Sequence, residues 1–298
     1  MDRGVEPDGF DYQGMLIRPP SEADSILLQV TLGCSHNKCT FCGAYKDKRF
    51  SIKDNEVILR DLAFAQKHCC RQDRVFLMDG DAMVIPQKRL IWLLDQIKER
   101  LPWVKRVGVY ANSKSVKMKS EEDLARLKAK GLDIAYYGVE SGDDETLKRV
   151  QKGSTAENLL IQGRRLIEAG MTLSVTVLLG IAGRERSLEH ARATGELLTK
   201  MDPQFVGALT VMVIPGTPLA KEQAAGAWTL PSPLEMLTEL REMVRTTRLS
   251  RAMFFSNHAS NYLPLKIQYP QGQAEALRLI DSALNGQVDL KPEWMRGL

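Results

Sequence analysis

Three cysteines fall within nine residues in the run Cys34-Ser-His-Asn-Lys-Cys39-Thr-Phe-Cys42. Thiolates spaced this closely suit a soft metal centre. Each can ligate one iron of a [4Fe–4S] cubane, which leaves the fourth iron open to a small molecule. Zinc is the alternative, but a structural zinc site takes four protein ligands. His36 is the nearest candidate for a fourth, yet it lies inside the same loop and belongs to no second ligand pair. Its plain reading is a solvated loop residue. The chain has five cysteines, an odd number, and no apolar run follows its N-terminus, so a secreted disulfide framework is not expected. The adjacent Cys69 and Cys70 read as small, half-buried residues near the end of a helix.

Further candidates lie where apolar runs end. Asp79 and Asp81 flank Gly80 just after Val75–Met78, and each can accept a charge-assisted hydrogen bond; the bland reading is a pair of solvated turn carboxylates. Glu140 follows Val139 at the end of an apolar run. Burying it unpaired would be costly, so it requires a ligand or a basic neighbour. Gly180 and Gly183 allow the backbone close to a flat ring, with Ile181 as an apolar wall, although a tight strand-to-helix turn needs the same glycines. Asn112 reads equally as a ligand contact or a turn residue. Asn257, His258 and Asn261, in the polar loop Ser256–Tyr262, suit contact with substrate across a lid; the alternative is a loop whose side chains cap its own backbone.

The elements that must position these residues are written in the apolar patterning. Strand-like runs at 26–30, 75–78, 107–110, 134–139, 173–179 and 206–214 alternate with amphipathic helical segments. This predicts a parallel sheet wrapped by helices, which presents its site at the carboxyl ends of the strands. Six such units are two short of a closed eight-stranded barrel, so the patterning leaves an open sheet and an incomplete barrel both in play. Ser120 with Asp123, and Ser154 with Glu157, predict capping boxes that open helices, while Gly131 and Gly170 predict left-handed helix stops. Ser232-Pro233 with Glu235 predicts another helix start, with that helix running to about 249 and a last one near 272–284. The expected organisation is an extended lead-in at 1–24, a core at 25–222, and an extension at 223–298 that covers the mouth of the core.

Taken together, these residues resemble the radical S-adenosylmethionine (radical SAM) superfamily. The loop cysteines, with Phe41 just before the third, resemble its signature, but four residues rather than the usual three separate the first two. Leu77–Ala82 is similar to the superfamily's Gly-rich acidic motif at the second strand. Gly138–Leu147, followed by Lys152-Gly153-Ser154, is similar to the fourth-strand segment of the anaerobic coproporphyrinogen oxidase and methylthiotransferase branch. Leu179–Gly183 and Ile214–Leu219 resemble that branch's fifth- and sixth-strand motifs.

The resemblance covers residues 24–222 and implies an α/β fold, an incomplete (β/α)6 TIM-like barrel with a mainly helical C-terminal extension. It implies a [4Fe–4S] cluster on Cys34, Cys39 and Cys42, with S-adenosyl-L-methionine (SAM) on the open iron. It also implies reductive cleavage of SAM to a 5′-deoxyadenosyl radical, and an electron donor such as flavodoxin or ferredoxin. By the same resemblance Asp79, Gly80 and Asp81 receive the methionyl ammonium, and Glu140 and Ser141 face the ribose or methionyl moiety. Arg164, on a helix near 155–169, would meet the SAM carboxylate, with Arg165 turned toward solvent. Phe41, Asn112, Gly180 and Ile181 complete the implied cofactor contacts.

The 41 basic and 37 acidic side chains leave a net charge of +4 without dense basic blocks, so nucleic acid is not indicated. No apolar stretch approaches the ~20 residues of a membrane span, and no export signal is visible, which reads as cytoplasmic. Beyond the loop only Cys69 and Cys70 remain. An auxiliary cluster is therefore not expected, which argues against a methylthiotransferase. A small-molecule substrate that loses hydrogen, in an oxidation, cleavage or rearrangement, is favoured. The alternatives are a radical SAM methyltransferase and a SAM-independent zinc or iron–sulfur binding protein.

Overall fold

The computed structural model describes residues 9–297; the first eight residues of the expected lead-in lie outside them. The described residues divide into two compact units, one made of residues 9–37, 44–136 and 168–172, the other of residues 38–43, 137–167 and 173–297.

The first unit holds β1 (Ile26–Gln29), β2 (Thr31–Leu32), β3 (Ser51–Ile52), α1 (Asn55–His68), β4 (Arg74–Met78), α2 (Gln87–Arg100), β5 (Arg106–Ala111), α3 (Ser113–Lys117) and α4 (Glu121–Ala129). β1 lies parallel to β4, with Gln29 opposite Met78, and β4 lies parallel to β5. Val75, Phe76, Leu77 and Met78 are all buried. That is why the run is continuously apolar rather than alternating: both faces of this strand are covered. β2 and β3 form a small antiparallel pair that brackets the cysteine loop in sequence. β6 (Leu132–Glu140) carries the chain from the first unit into the second.

The second unit holds α5 (Asp144–Arg149), α6 (Ala156–Glu168), β7 (Thr172–Leu179), α7 (Ser187–Met201), β8 (Phe205–Thr210), α8 (Pro218–Ala224), α9 (Pro233–Thr246), β9 (Ala252–Phe255), β10 (Lys266–Tyr269) and α10 (Gln273–Leu284). β7 and β8 are parallel, from Ser174 opposite Phe205 to Leu179 opposite Thr210. The six predicted strands follow one another in chain order, β1-β4-β5-β6-β7-β8. A doubly wound open sheet reverses its strand order at a switch point, whereas barrel connectivity does not. The fold is therefore the incomplete (β/α)6 barrel, followed by an extension led by helices.

Several local expectations shift. The extension is not helical throughout: β9 pairs parallel with β8, and β10 pairs antiparallel with β9. The short run Met253-Phe254-Phe255 is a strand because Phe254 is fully buried opposite Val206 on one side and Ile267 on the other. β8 stops at Thr210, short of 214. The apolar tail instead leads into a turn closed by the Thr217 N–H on the Ile214 carbonyl at 3.2 Å. α6 opens one residue later than predicted, so the Thr155 hydroxyl, not Ser154, accepts the Asn158 N–H at 3.2 Å. α9 ends at Thr246 because Thr247 is extended. The boxes at Ser120 and Ser232 form, and Gly131 and Gly170 take φ of 99° and 81°. Among the described residues, no helix is long and apolar enough to cross a membrane.

Candidate active site

At the carboxyl end of β4 the two nominated aspartates sit in different surroundings. Asp79 is fully buried and already paired. Its Oδ2 accepts from the Gly33 N–H at 3.1 Å and from Lys48 Nζ at 3.3 Å, with Gln29 Nε2 at 3.5 Å. The Asp79 N–H in turn donates to Thr31 Oγ1 at 2.9 Å. Asp79 thus fastens the start of the cysteine loop; the Tyr45 phenol faces the same carboxylate, and among the described residues no donor lies within hydrogen-bond distance of the buried Oδ1.

Asp81 is also fully buried, but among the described residues no cation contacts it directly. Its Oδ2 accepts from Ser35 Oγ at 2.5 Å and from Asn112 Nδ2 at 2.7 Å, while among the described residues no donor lies within hydrogen-bond distance of the buried Oδ1, the Ser115 hydroxyl standing further off. Burial pushes its pKa up to about 6, against the lowering effect of hydrogen bonds from Ser35, Ser115 and Asn112. Asn112 combines the two roles between which its sequence context could not choose. Its Oδ1 caps α3 by accepting the Lys114 and Ser115 N–H groups, each at 2.9 Å, and its amide nitrogen holds Asp81. Between the aspartates, Gly80 presses on the cysteine loop. A Cβ there would lie 3.0 Å from Cys34 Cβ and 2.8 Å from the Tyr45 ring, so only glycine allows this approach.

In the second unit, the carboxyl end of β6 carries Glu140 and Ser141. Glu140 is paired with Lys152 Nζ at 2.8 Å, the basic neighbour that its burial requires. Its φ of 66° is uncommon for a residue other than glycine. Ser141 is fully buried; its Oγ meets His190 Nδ1 at 2.7 Å and accepts the Asp143 N–H at 3.0 Å. At the end of β7, Gly180 takes φ 79° and donates its N–H to Glu239 Oε1 at 2.7 Å. Ile181 is fully buried in an apolar cluster with Val150, Val211, Leu219 and Trp228, against which Phe41 packs.

The arginines on α6 exchange the exposures expected of them. Arg164 is exposed, whereas Arg165 is half-buried and donates to Gln162 Oε1 at 2.7 Å. The buried stripe of α6 runs through Leu159, Gln162, Gly163 and Leu166. At 100° per residue, Arg165 lies nearer that stripe than Arg164 does.

The polar loop after β9 is tied down on several sides. Asn261 is buried; its Oδ1 accepts from Thr210 Oγ1 at 2.7 Å and its Nδ2 donates to the Ala208 carbonyl at 2.8 Å. Ser260 Oγ accepts the Thr210 N–H at 3.1 Å. His258 Nδ1 accepts the Ser260 N–H at 3.1 Å, which leaves Nε2 as the protonated nitrogen of the neutral ring. Burial, with a smaller contribution from Lys291, lowers its pKa and favours that neutral form. Asn257 is exposed. Residues near the C-terminus strap the same loop: the Lys291 N–H donates to the Tyr262 carbonyl at 2.8 Å, and Arg296 Nε donates to the Ser260 carbonyl at 2.7 Å.

Residues 28–197 match the radical SAM superfamily. The chain belongs to that superfamily. It is 25% identical over 202 residues to 4′-phospho-dehydrooxetanocin synthase of Priestia megaterium, covering 60% of this chain and 27% of that protein. Among solved structures it is similar to methylornithine synthase, PylB (TM-score 0.52, 18% identity, 75% of this chain and 63% of that one). It is also similar to coproporphyrinogen III oxidase, HemN, from Escherichia coli (TM-score 0.53, 16% identity, 75% of this chain and 53% of that one). At these identities the structural likeness is one of fold, and it agrees with the barrel and extension described above. The chain spans 27% of the length of its curated relative and under two thirds of either solved structure.

Radical SAM chemistry calls for an iron–sulfur cluster and SAM, and two features of this superfamily member fit those groups. Cys34, Cys39 and Cys42 are half-buried thiols outside any disulfide, a donor set suited to iron. Asp79 and Asp81 each keep a buried oxygen without a partner, which suits a cation with N–H donors. Among the described residues, no three His, Cys, Asp or Glu side chains are gathered as a bound metal ion would require, so the match to a cluster rests on donor chemistry.

Sequence reasoning assigned no role to Ser35, Lys48, His190 or Glu239. Glu239 carried a readable signal. It lies three residues after Met236 on the stripe Met236, Leu240, Met243 of α9, where a carboxylate among apolar side chains needs donors.

Proposed function

We propose that this protein is a radical SAM enzyme that removes hydrogen from a small-molecule substrate, with Cys34, Cys39 and Cys42 holding a [4Fe–4S] cluster. When bound, the cluster supplies the electron that cleaves the SAM sulfonium to yield the 5′-deoxyadenosyl radical, and the protein supplies position and charge.

The observation that carries this reading is the unpartnered Oδ1 of Asp81, buried one residue from the glycine that packs on Cys34. In this reading Asp81 accepts the methionyl ammonium, while Ser35 and Asn112 fix the carboxylate from its other oxygen. Gly80 keeps the cysteine loop close, and Asp79 anchors that loop through Gly33 and Lys48. Glu140, steadied by Lys152, meets the ribose with Ser141 beside it in sequence. Gly180 and Ile181, with Phe41 packed on the same cluster, form the adenine side. Arg164, from its exposed position, pairs with the SAM carboxylate, for which a guanidinium offers a planar fork. On the substrate side, His258 offers Nε2–H as a donor, Asn257 adds an exposed amide, and Asn261 holds their loop to β8. The segment 223–298 closes the substrate side, and flavodoxin or ferredoxin delivers the electron.

The test is anaerobic reconstitution with iron and sulfide, followed by reduction in the presence of SAM. Formation of 5′-deoxyadenosine is the expected result, with deuterium transferred into it from the correct labelled substrate. A protein that carries a complete cluster yet forms no 5′-deoxyadenosine under any reductant would end this reading.

A further inference from the structure

The superfamily match ends at residue 197, yet one side chain well beyond it completes two turns within the matched region. Glu239 on α9 is fully buried. Its Oε1 accepts the Gly180 N–H at 2.7 Å, its Oε2 accepts the Ser187 hydroxyl, and His190 Nε2 lies 3.4 Å from Oε1. All three neighbours present donors, because Nε2 also faces the Leu178 carbonyl at 3.1 Å and must carry the proton. An acceptor-only, ionised carboxylate is the form of Glu239 that satisfies them. With Nε2 protonated, Nδ1 of the neutral ring accepts from the Ser141 hydroxyl at 2.7 Å. The oxygen of that hydroxyl accepts the Asp143 N–H, and the neighbouring Gly142 N–H donates to Thr194 Oγ1 at 2.9 Å. Ser141, Thr194, His190 and Glu239 are each almost entirely excluded from solvent.

The chain of contacts Glu239–His190–Ser141 therefore runs from the C-terminal extension to the turn after β6, while Glu239 itself holds the turn after β7. Gly180, with its positive φ, takes its acceptor from α9. We propose that Glu239 is a positioning residue for SAM: it fixes the Gly180–Gly183 turn directly and the Glu140–Ser141 turn through His190. The extension is then part of the cofactor machinery and not only a cover. This inference rests on the proposed SAM site, but the coupling of α9 to the two turns can be measured without SAM.

The test compares the full-length wild-type protein with Glu239→Leu, Glu239→Gln and, as a matched change on the same helix, Glu242→Gln, whose partners are the surface arginines Arg192 and Arg245. Leucine removes both acceptors, while glutamine keeps one for Gly180 and offers Ser187 an N–H. The readouts are amide hydrogen exchange over 139–143 and 179–184, and SAM affinity of the anaerobically reconstituted protein. E239L is expected to raise exchange in both segments and to weaken SAM binding about tenfold, the cost of leaving a buried N–H unpaired. E239Q restores affinity to within about threefold of wild type, and E242Q changes neither segment. If E239L does not fold, Ser187→Ala loosens the same carboxylate and is expected to raise exchange over 179–184 and weaken SAM binding about threefold. Wild-type exchange in both segments of E239L, or unchanged SAM affinity in a wild-type background that binds SAM, overturns the proposal. A wild-type protein that binds no SAM overturns the functional reading beneath it, whatever the exchange data show.

Discussion

Buried carboxylates in this molecule meet two different fates. In the second unit Glu140 meets Lys152, and Glu239 meets Gly180, Ser187 and His190. In the first unit Glu22 meets Arg106 at 2.6 Å, whereas Asp61, Asp79 and Asp81 each keep one buried oxygen with no hydrogen-bond partner among the described residues. A buried acceptor without a donor costs roughly 1–3 kcal/mol. Asp79 and Asp81 stand apart in lying two residues from one another beside the cysteine loop, and the proposed function reads this pair as the place for a cationic ligand. On that reading, what marks the site is less residue type than a pair of open acceptors beside the cysteine loop.

The sharpest break of that contrast is the loop that feeds the open side. Serine at Cys34, Cys39 or Cys42 is expected to abolish both the iron–sulfur absorbance and 5′-deoxyadenosine formation; a variant retaining full iron and turnover would remove that residue from the ligand set.

Next comes Asp81→Asn. It is expected to weaken SAM binding about ten- to a hundredfold with the cluster intact, because a charge-assisted bond is lost. The pH dependence sharpens the same point. The folded-state pKa of Asp81, about 6, lies above its ordinary 3.8, so the folded protein favours the protonated form. Its contribution to stability is present below about pH 3.8 and lost as pH rises through 6, on the order of 3 kcal/mol at most. A bound ammonium requires the ionised form, so SAM affinity is expected to rise about tenfold from pH 5 to pH 7. Calorimetric titrations of D81N should show a flat profile over the same range.

Asp79→Asn, by contrast, breaks a buried ion pair, and a loss of about 3 kcal/mol is expected in denaturant unfolding, because Lys48 is left without its counter-charge. A loss of SAM affinity as large as in D81N, without that destabilisation, would erase the distinction drawn between the two aspartates. Asn261→Ala strips Thr210 Oγ1 and the Ala208 carbonyl of partners. It should cost about 2 kcal/mol of stability while leaving SAM cleavage measurable. The smallest effect is expected from Arg164→Ala, about threefold in SAM affinity, because an exposed guanidinium works against screening.

Much of the fold was legible because βα alternation is a local signal: the Val75–Met78 run and the Ser120 box required no knowledge of partners. Barrel against open sheet was not legible in the patterning, since strand order is a long-range property that periodicity does not encode; the family motifs at the strand ends implied the incomplete barrel. β9 was missed as a strand because four residues between loops carry too little pattern. At the site, residue types and strand-end positions nominated Asp79 and Asp81 as equals. What separates them is Lys48, 31 residues upstream of Asp79, and Ser35, whose hydroxyl had no assigned role. The Arg164 and Arg165 exposures were exchanged for a local reason: the stripe of α6 centres on Gln162 and Gly163, and a buried glutamine is invisible to an apolar pattern. His190 and Glu239 lie far from Ser141 and Gly180 in sequence, so their partnership had to come from the fold.

The central claim is that Cys34, Cys39 and Cys42 hold a cluster with one iron left for SAM. Mössbauer spectra of protein reconstituted with 57Fe, recorded before and after addition of SAM, address it directly. One iron subsite is expected to change its isomer shift when SAM is added to the wild-type protein. A spectrum that SAM leaves unaltered, or a colourless protein that takes up one zinc ion in place of iron, would contradict the account.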